Sequence, residues 1–424
     1  MDEIKEVKHM GQDKRRVVVT GLGAITPVGN NVSDMWANLK AGKCGIAPIT
    51  HYDTTDRKVK LAAEVKDWDP TTVVDKGALR KTDMFTVFAL AASKEAMEDS
   101  GLDMEKEDTS RCGIIFSSGI GGLGTIQQEC TRGLEKGFDR ISPHFVPMSI
   151  TNMAAGHIAI KYGFHGLCTC VVTACAGGTN AVGDAFRQIR DGYQDVMLCG
   201  GAEACITELG VGGFTVMHAL CTSEDPKRAS IPFDKERSGF VIGEGSGALI
   251  LEDYEHAKKR GAKIYCEVLG YGATCDANHV TAPLADGSQA AKAMTFAMED
   301  ANLKPEQIDY INAHGTSTSL NDKGETKAIR TAFGPAADHL MVSSTKSMMG
   351  HLLGASGAVE SIVSCLSVQN DIVPPTIGYQ VPDEECDLDI VPNEMRESKV
   401  CYAMSNSLGF GGHNASIIFG KVEQ

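Results

Sequence analysis

The sequence has no low-complexity tract and no apolar run near the about 20 residues that a membrane-spanning helix needs, and its charged start MDEIKEVKHMGQDKRR carries no secretory core. These absences argue against a disordered or fibrous chain and predict a cytoplasmic protein with no membrane insertion. Positive charge is in deficit: 40 Lys and Arg stand against 55 Asp and Glu, and a formal charge of -15 repels a phosphate backbone, so no nucleic-acid partner is expected. CxxC, HExxH and paired Cys/His spacings are missing as well, which argues against a tetrahedral metal site. Many of the 14 cysteines lie in apolar runs such as CTCVV, VMLCGG and SIVSCLSV, where they read as small buried apolar residues.

What is present is a chain of 424 residues, 42% hydrophobic, long enough to bury a large core without staples. From Arg16 onward short β-branched runs alternate with stretches of helical period, the pattern of an α/β protein. Strands are expected at 17–20, 112–117, 168–173, 195–200, 248–252, 263–273, 308–313, 341–345, 399–405 and 415–419, and helices at 79–99, 150–162, 176–191, 289–301 and 352–370. Residues 222–239 and 371–385, rich in proline and charge, read as surface excursions. No Ser/Gly/Pro linker separates two halves, so the expected body is compact and made of two similar α/β units: an extension at 1–15, a first half at 16–262 and a second at 263–424.

Gly119, Gly121 and Gly124 fit GxGxxG between a strand and a helix. The following helix is polar, however, and no second parallel strand ending in a ribose-binding acid comes after it. Close backbone packing, or a substrate channel wall, outweighs a dinucleotide site. The segment VVTACAGGTNAVGDAFRQI is more informative, because it places Cys175 at a strand-to-helix turn among small residues. There the positive end of the helix dipole is expected to lower the thiol pKa, and the small neighbours leave room for a substrate. Two later turns carry His314, in NAHGTST, and Lys346 with His351, in VSSTKSMMGHLLGASG. Reactive groups at the C-terminal ends of parallel strands converge in space. The turn SLGFGGHN lies between the two last strands and reads either as a plain hairpin or as a mobile loop with Phe410 as a door.

With VVVTGLGAITPVG, TACAGG, LGVGGF, PFDKERSGFVIGEGSG, NAHGTST, VSSTKSMMGHLLGASG and GFGGHN in this order, the chain from Arg16 to Phe419 resembles the ketoacyl synthases of the thiolase-like superfamily. The resemblance implies a thiolase-like fold of alternating layers (αβαβα) and a decarboxylative Claisen condensation of an acyl chain with a malonyl unit. Both would be carried on the phosphopantetheine of acyl carrier protein, in fatty acid elongation. A ketosynthase of a discrete polyketide or aryl-polyene pathway is the alternative. It further implies that Cys175 takes the acyl chain and that His314 and His351 serve the decarboxylation. Lys346 supports them with Glu325 as its partner, and the amides of Cys175 and Phe410 form the oxyanion hole. Thr316 and Thr318 would bind the pantetheine arm, and Ile120 would wall the acyl pocket with Phe410. Arg80, Lys81 and Arg140, joined by Lys227 and Arg228, would dock the acidic carrier protein. No cofactor is required for the chemistry, and Asn312, Glu360, Ser405 and Asn406 resemble a structural monovalent-cation site. Family members are homodimers. His413 departs from the threonine common at its position and leaves Phe410 and the glycines in place. A degradative thiolase would need a second cysteine where Phe410 stands, and a ketoacyl synthase III an asparagine where His351 stands. A non-catalytic chain-length factor would lack Cys175.

Overall fold

The chain builds one run of eight elements twice. A computed structural model describes residues 14–422. In it, strands β1 Val17–Ile25, β2 Cys112–Ser117, β3 Cys168–Thr169, β4 Val196–Glu203 and β5 Gly245–Asp253 are interleaved with helices α1 Met84–Ser100, α2 Met153–Tyr162 and α3 Gly177–Arg190. The second run consists of strands β6 Cys266–Cys275, β7 Tyr310–Asn312, β8 Met341–Ser343, β9 Tyr402–Gly409 and β10 His413–Gly420, with helices α4 Ser288–Asp300, α5 Ser319–Phe333 and α6 Ser356–Asn370. Residues 1–13 of the expected N-terminal extension lie outside the described residues.

The ten strands form a continuous sheet in the order β8-β7-β9-β10-β6-β1-β5-β4-β2-β3. Outward from the centre, each half runs first, fifth, fourth, second, third strand. The two innermost pairings are antiparallel and the two outer ones parallel. The halves meet where residues 17–19 pair antiparallel with residues 266–268. Helices α3 and α6 pack between the two half-sheets, α1 and α2 cover the outer face of the first half, and α4 and α5 cover that of the second. This is the expected α/β architecture in five layers, αβαβα.

Position between two sheets explains α6. Its apolar stripe Val359, Ile362, Val363 and Leu366 is buried, but so are Ser361, Ser364 and Ser367 on its other sides. The hydroxyls of Ser361 and Ser364 donate back to the carbonyls of Gly357 (2.7 Å) and Glu360 (2.9 Å), which lets polar side chains stand in a dry layer. Seven cysteines, including Cys199, Cys266 and Cys365, are buried, and all 14 are free.

The segment 222–239 is not the surface excursion that its composition suggested. Phe233 is fully buried in a left-handed conformation (φ 65°), and the buried Arg237 pairs with Asp322 (3.6 Å) and Asp383 (2.7 Å). The charges answer one another inside the fold, where composition had suggested solvent.

An ionic cluster ties the outer end of β5 to its neighbours. Glu252, wholly buried, accepts bonds from Thr20 of β1, Arg260 and His256, and His256 also reaches Glu107 at 2.8 Å. The bond to Glu252 raises His256 to about 9, against the pull of burial and with help from Glu107. A histidine raised in the fold contributes stability that is fully present below its unfolded pKa of about 6.5 and is lost as pH rises through 9. His256→Gln is therefore expected to cost about 1–2 kcal/mol at pH 6 and almost nothing at pH 10, read as denaturation midpoints of both proteins across that range. An equal loss at both pH values would contradict it.

Candidate active site

The two central helices bring the predicted residues together. A Cβ on Gly178 of α3 would stand 2.6 Å from the Ala358 amide nitrogen of α6, and one on Gly357 would stand 2.2 Å from Thr179 Oγ1. Only glycine at both places lets the first turns of α3 and α6 touch. The residues ahead of those turns, Cys175 and His351, consequently share one space, and His314 enters it from the end of β7. All three line a cavity of about 370 Å³ together with Phe410, Thr316 and Thr318.

Cys175 follows Ala174, held at φ 50°, in a short 3-10 turn that leads directly into α3. The turn is anchored by Thr173 on Asn180 (2.6 Å), whose amide in turn donates to the Tyr271 hydroxyl of β6 (2.5 Å). The predicted strand reaches only Thr169, because β3 is the edge of the sheet. Burial pushes the Cys175 thiol up to about 12. Lys346 opposes this, Glu203 adds to it, and the N–H groups of Phe410 and of Cys175 itself also oppose it. The expected lowering by the helix terminus is thus overturned: desolvation by burial outweighs it. The same N–H groups of Phe410 and Cys175 face the sulfur.

His314 and His351 meet edge to face, with ring centroids 5.2 Å apart and planes at 85°. Both are buried and held well below the usual histidine range, first by desolvation and then by the nearby Lys346. Each is neutral near pH 7 and carries one ring N–H. Ser356 at the start of α6 bonds His351 Nδ1 at 2.9 Å; a hydroxyl proton given there leaves the Nε2–H free to donate.

Lys346 is buried, and its ammonium is bonded to Glu360 rather than to Glu325 as expected. Glu325 instead accepts the backbone N–H groups of His314 and Gly315, both at 2.8 Å, and so clamps the turn after β7. Burial raises this carboxyl to about 7, with the amides of Gly315 and His314 opposing. Thr316 and Thr318 share a 2.9 Å hydroxyl bond at the cavity wall. Ile120 packs in the same apolar cluster as Leu353, Phe240 and Cys175, behind the lining residues.

Of the suggested cation ligands, Asn312 Oδ1, Ser405 Oγ and the second oxygen of Glu360 are buried without a hydrogen-bond partner, and Asn312 and Ser405 are in register on adjacent strands. Asn406 points to the opposite face, where it accepts from Ser416 at 2.8 Å and donates to the Met294 sulfur; strand alternation removes its side chain from the set. Arg80, Lys81, Arg140 and Lys227 are exposed, but Arg228 is spent within the fold on Asp234 (2.9 Å) and Glu236 (2.6 Å). In GxGxxG the Gly119 amide donates to the buried Glu203 at 2.8 Å and the Gly121 amide to Ser118 Oγ at 3.0 Å.

Sequence reasoning missed two phenylalanines and one acid. Rings run from Phe410 to Phe214 (6.5 Å), from Phe214 to Phe240 (5.4 Å) and from Phe240 to His351 (5.2 Å), an aromatic path from the glycine loop to the histidines. Phe214 and Phe240 stood in plain sight in LGVGGF and RSGF. Glu203 ends the apolar strand VMLCGGAE, a position where an acid needs a buried role.

Residues 14–257 match the family described as beta-ketoacyl synthase, N-terminal domain, and residues 265–380 match the beta-ketoacyl synthase C-terminal domain. The chain is 50% identical over 412 residues to the 3-oxoacyl-[acyl-carrier-protein] synthase 2 of Synechocystis sp., covering 97% of this chain and 99% of that one. With the protein of the same name from Coxiella burnetii, identity is 47% over 411 residues, covering 97% and 99%. Among solved structures, a type II polyketide ketosynthase in complex with its acyl-carrier protein superposes with a TM-score of 0.90 at 36% identity, covering 97% of this chain and all of that one (100%). A beta-ketoacyl synthase from Burkholderia phymatum gives a TM-score of 0.88 at 34% identity, covering 96% and 100%.

Proposed function

The chain belongs to the beta-ketoacyl synthase family, and from that premise we propose that its cavity joins an acyl chain to a malonyl unit, both delivered as thioesters of acyl carrier protein. It is a condensing acyltransferase of fatty acid elongation, releasing 3-oxoacyl carrier protein, carbon dioxide and free carrier protein. The observation that carries the reading is the cavity wall shared by one thiol and two neutral imidazoles.

In this reading Cys175 attacks the acyl thioester. The oxyanion is received by the N–H groups of Cys175 and Phe410, and the first carrier protein leaves as its free thiol, taking the proton from Cys175. A malonyl thioester then takes the vacated place, with its pantetheine arm along Thr316 and Thr318. As carbon dioxide departs, negative charge moves onto the thioester oxygen, where the ring N–H groups of His314 and His351 receive it. The enolate carbon attacks the acyl group, the C–S bond to Cys175 breaks, and the thiolate regains its proton from solvent. Burial and then the charge of Lys346 keep both imidazoles neutral, and Glu325 holds the His314 turn. Residues 16–262 supply the nucleophile and residues 263–424 the two donors.

Several finer statements rest on the same reading. Asn312, Ser405 and Glu360 would hold a structural monovalent cation through hard oxygen atoms that otherwise lack partners. A homodimer fits the edge strand β3 and the exposed Leu134, Phe138, Ile160 and Val172. A cytoplasmic setting fits a chain in which no helix among the described residues is long and apolar enough to cross a membrane. For an acidic carrier protein, Arg80, Lys81, Arg140 and Lys227 would provide the docking charge. Reversing Arg80 and Lys81 together to Glu is expected to raise the KM for carrier protein about tenfold at low salt, with kcat unchanged, and to flatten its salt dependence. An unchanged KM would remove these residues from the docking face.

The reading is tested by mixing the protein with a medium-chain acyl carrier protein and malonyl carrier protein and weighing the products intact. A two-carbon 3-oxo extension is expected with the wild type and none with Cys175→Ala, which keeps its fold because a small apolar side chain replaces a small thiol. Extension by Cys175→Ala would overturn the nucleophile. A product grown by repeated extensions without reduction would favour the polyketide alternative, which the solved ketosynthase relatives bring to mind.

A further inference from the structure

We infer that the buried Glu203 carboxylate is a positioning residue that locks Ile120 and Leu353, which share an apolar cluster with Cys175, and thereby sets which acyl chains the pocket accepts. The inference rests on the proposed role of Cys175 as the acyl-bearing residue. Glu203 ends β4, is fully buried, and gathers donors from three separate segments. One carboxylate oxygen accepts from Ser118 Oγ (3.0 Å), the Ile120 amide (3.2 Å) and the Cys205 thiol (3.3 Å), and the other from the amides of Gly119 (2.8 Å) and Gly354 (3.0 Å). Ser118 Oγ in turn accepts from the Gly121 amide at 3.0 Å, which closes the turn after β2.

The bonded segments carry the pocket. Ile120, Leu353 and Cys175 belong to one apolar cluster, and Leu353 lines the cavity itself. Leu353 is held at φ 48°, a conformation unfavourable for any residue with a Cβ, so it needs fixed neighbours to persist. One such anchor is the next amide, that of Gly354, on Glu203. A Cβ on Gly354 would fall 2.3 Å from the Gly119 amide nitrogen, so the two walls lean on each other across this carboxylate. Charge matters as well as shape: Glu203 is among the groups that raise the Cys175 thiol. Glutamine cannot replace it silently, since its amide nitrogen would face at least two N–H, O–H or S–H donors whichever way it turned.

The test compares Cys175 acylation by carrier proteins bearing 10-carbon and 16-carbon chains, together with alkylation of Cys175 by iodoacetamide, in wild type and E203Q. The expected result is a change of about tenfold in the ratio of kcat/KM values for the two chains, with faster alkylation at about pH 7.5 once Glu203, itself raised by burial, no longer opposes the thiolate. A wild-type chain ratio in folded E203Q would overturn the inference. Should E203Q not fold, S118A removes two bonds, the one given to Glu203 and the one taken from the Gly121 amide, and is expected to move the ratio about threefold; an unmoved ratio there overturns the inference equally. Wild-type protein that accepts no acyl chain at Cys175 would instead defeat the proposed function, so the two failures are distinct.

Discussion

His314→Ala and His351→Ala are each expected to lower decarboxylation of malonyl carrier protein by about 10²–10³-fold while leaving acylation of Cys175 within about tenfold of wild type. The split follows from where the rings stand. They line the cavity beside the thiol, whereas the donors next to the sulfur are the backbone amides of Cys175 and Phe410. In the proposed reaction acyl transfer uses those amides, whereas the enolate oxygen takes its donors from the imidazoles. Because desolvation and Lys346 hold both rings well below the ordinary histidine range, the rate of decarboxylation should show no step near pH 6.5 as the pH rises. Single-turnover release of carbon dioxide, measured beside acyl-enzyme formation by intact mass, reads both effects. Equal losses in the two half-reactions would defeat the division of labour.

Lys346→Met is expected to destabilise the protein by about 3–5 kcal/mol, because it takes the ammonium partner from the buried Glu360 carboxylate. The double variant Lys346→Met with Glu360→Leu should regain most of that stability, since an apolar pair of similar volume avoids both desolvation costs. It should not regain condensation. With the lysine gone, the histidines lose a charge that lowers them both, so the acid limb of the decarboxylation profile should move to higher pH. Stability is read from denaturant midpoints, and the limb from rates between pH 5 and 8. A double variant with wild-type activity would make Lys346 a structural cation only, and a stationary acid limb would remove its electrostatic role.

Some readings were open to sequence because they depend on neighbours along the chain. The elbow at Cys175, the turns at His314 and His351 and the hairpin at Phe410 each announce themselves by small residues, a reactive group and a following helix or strand. Others failed because packing, and not separation along the chain, chooses the partner. Lys346 meets Glu360 near the start of α6, and Glu325 turned out to serve the backbone of the turn after β7, so local spacing could not tell which acid answers the lysine. Asn406 was grouped with Ser405 by adjacency, although adjacent residues of a strand face opposite ways.

The sequence by itself determined the alternation of strands and helices, the deficit of positive charge, and the thiol and two imidazoles at helix and strand ends, since all of these are local patterns or sums. Only the tertiary structure decided that the same strand order repeats in both halves and that α3 and α6 touch through glycine. It alone showed that burial raises the thiol instead of lowering it, and that Phe214, Phe240 and Glu203 surround the site. Those outcomes depend on desolvation and on contacts between segments more than 100 residues apart, such as Glu203 with Gly354, which no linear pattern encodes.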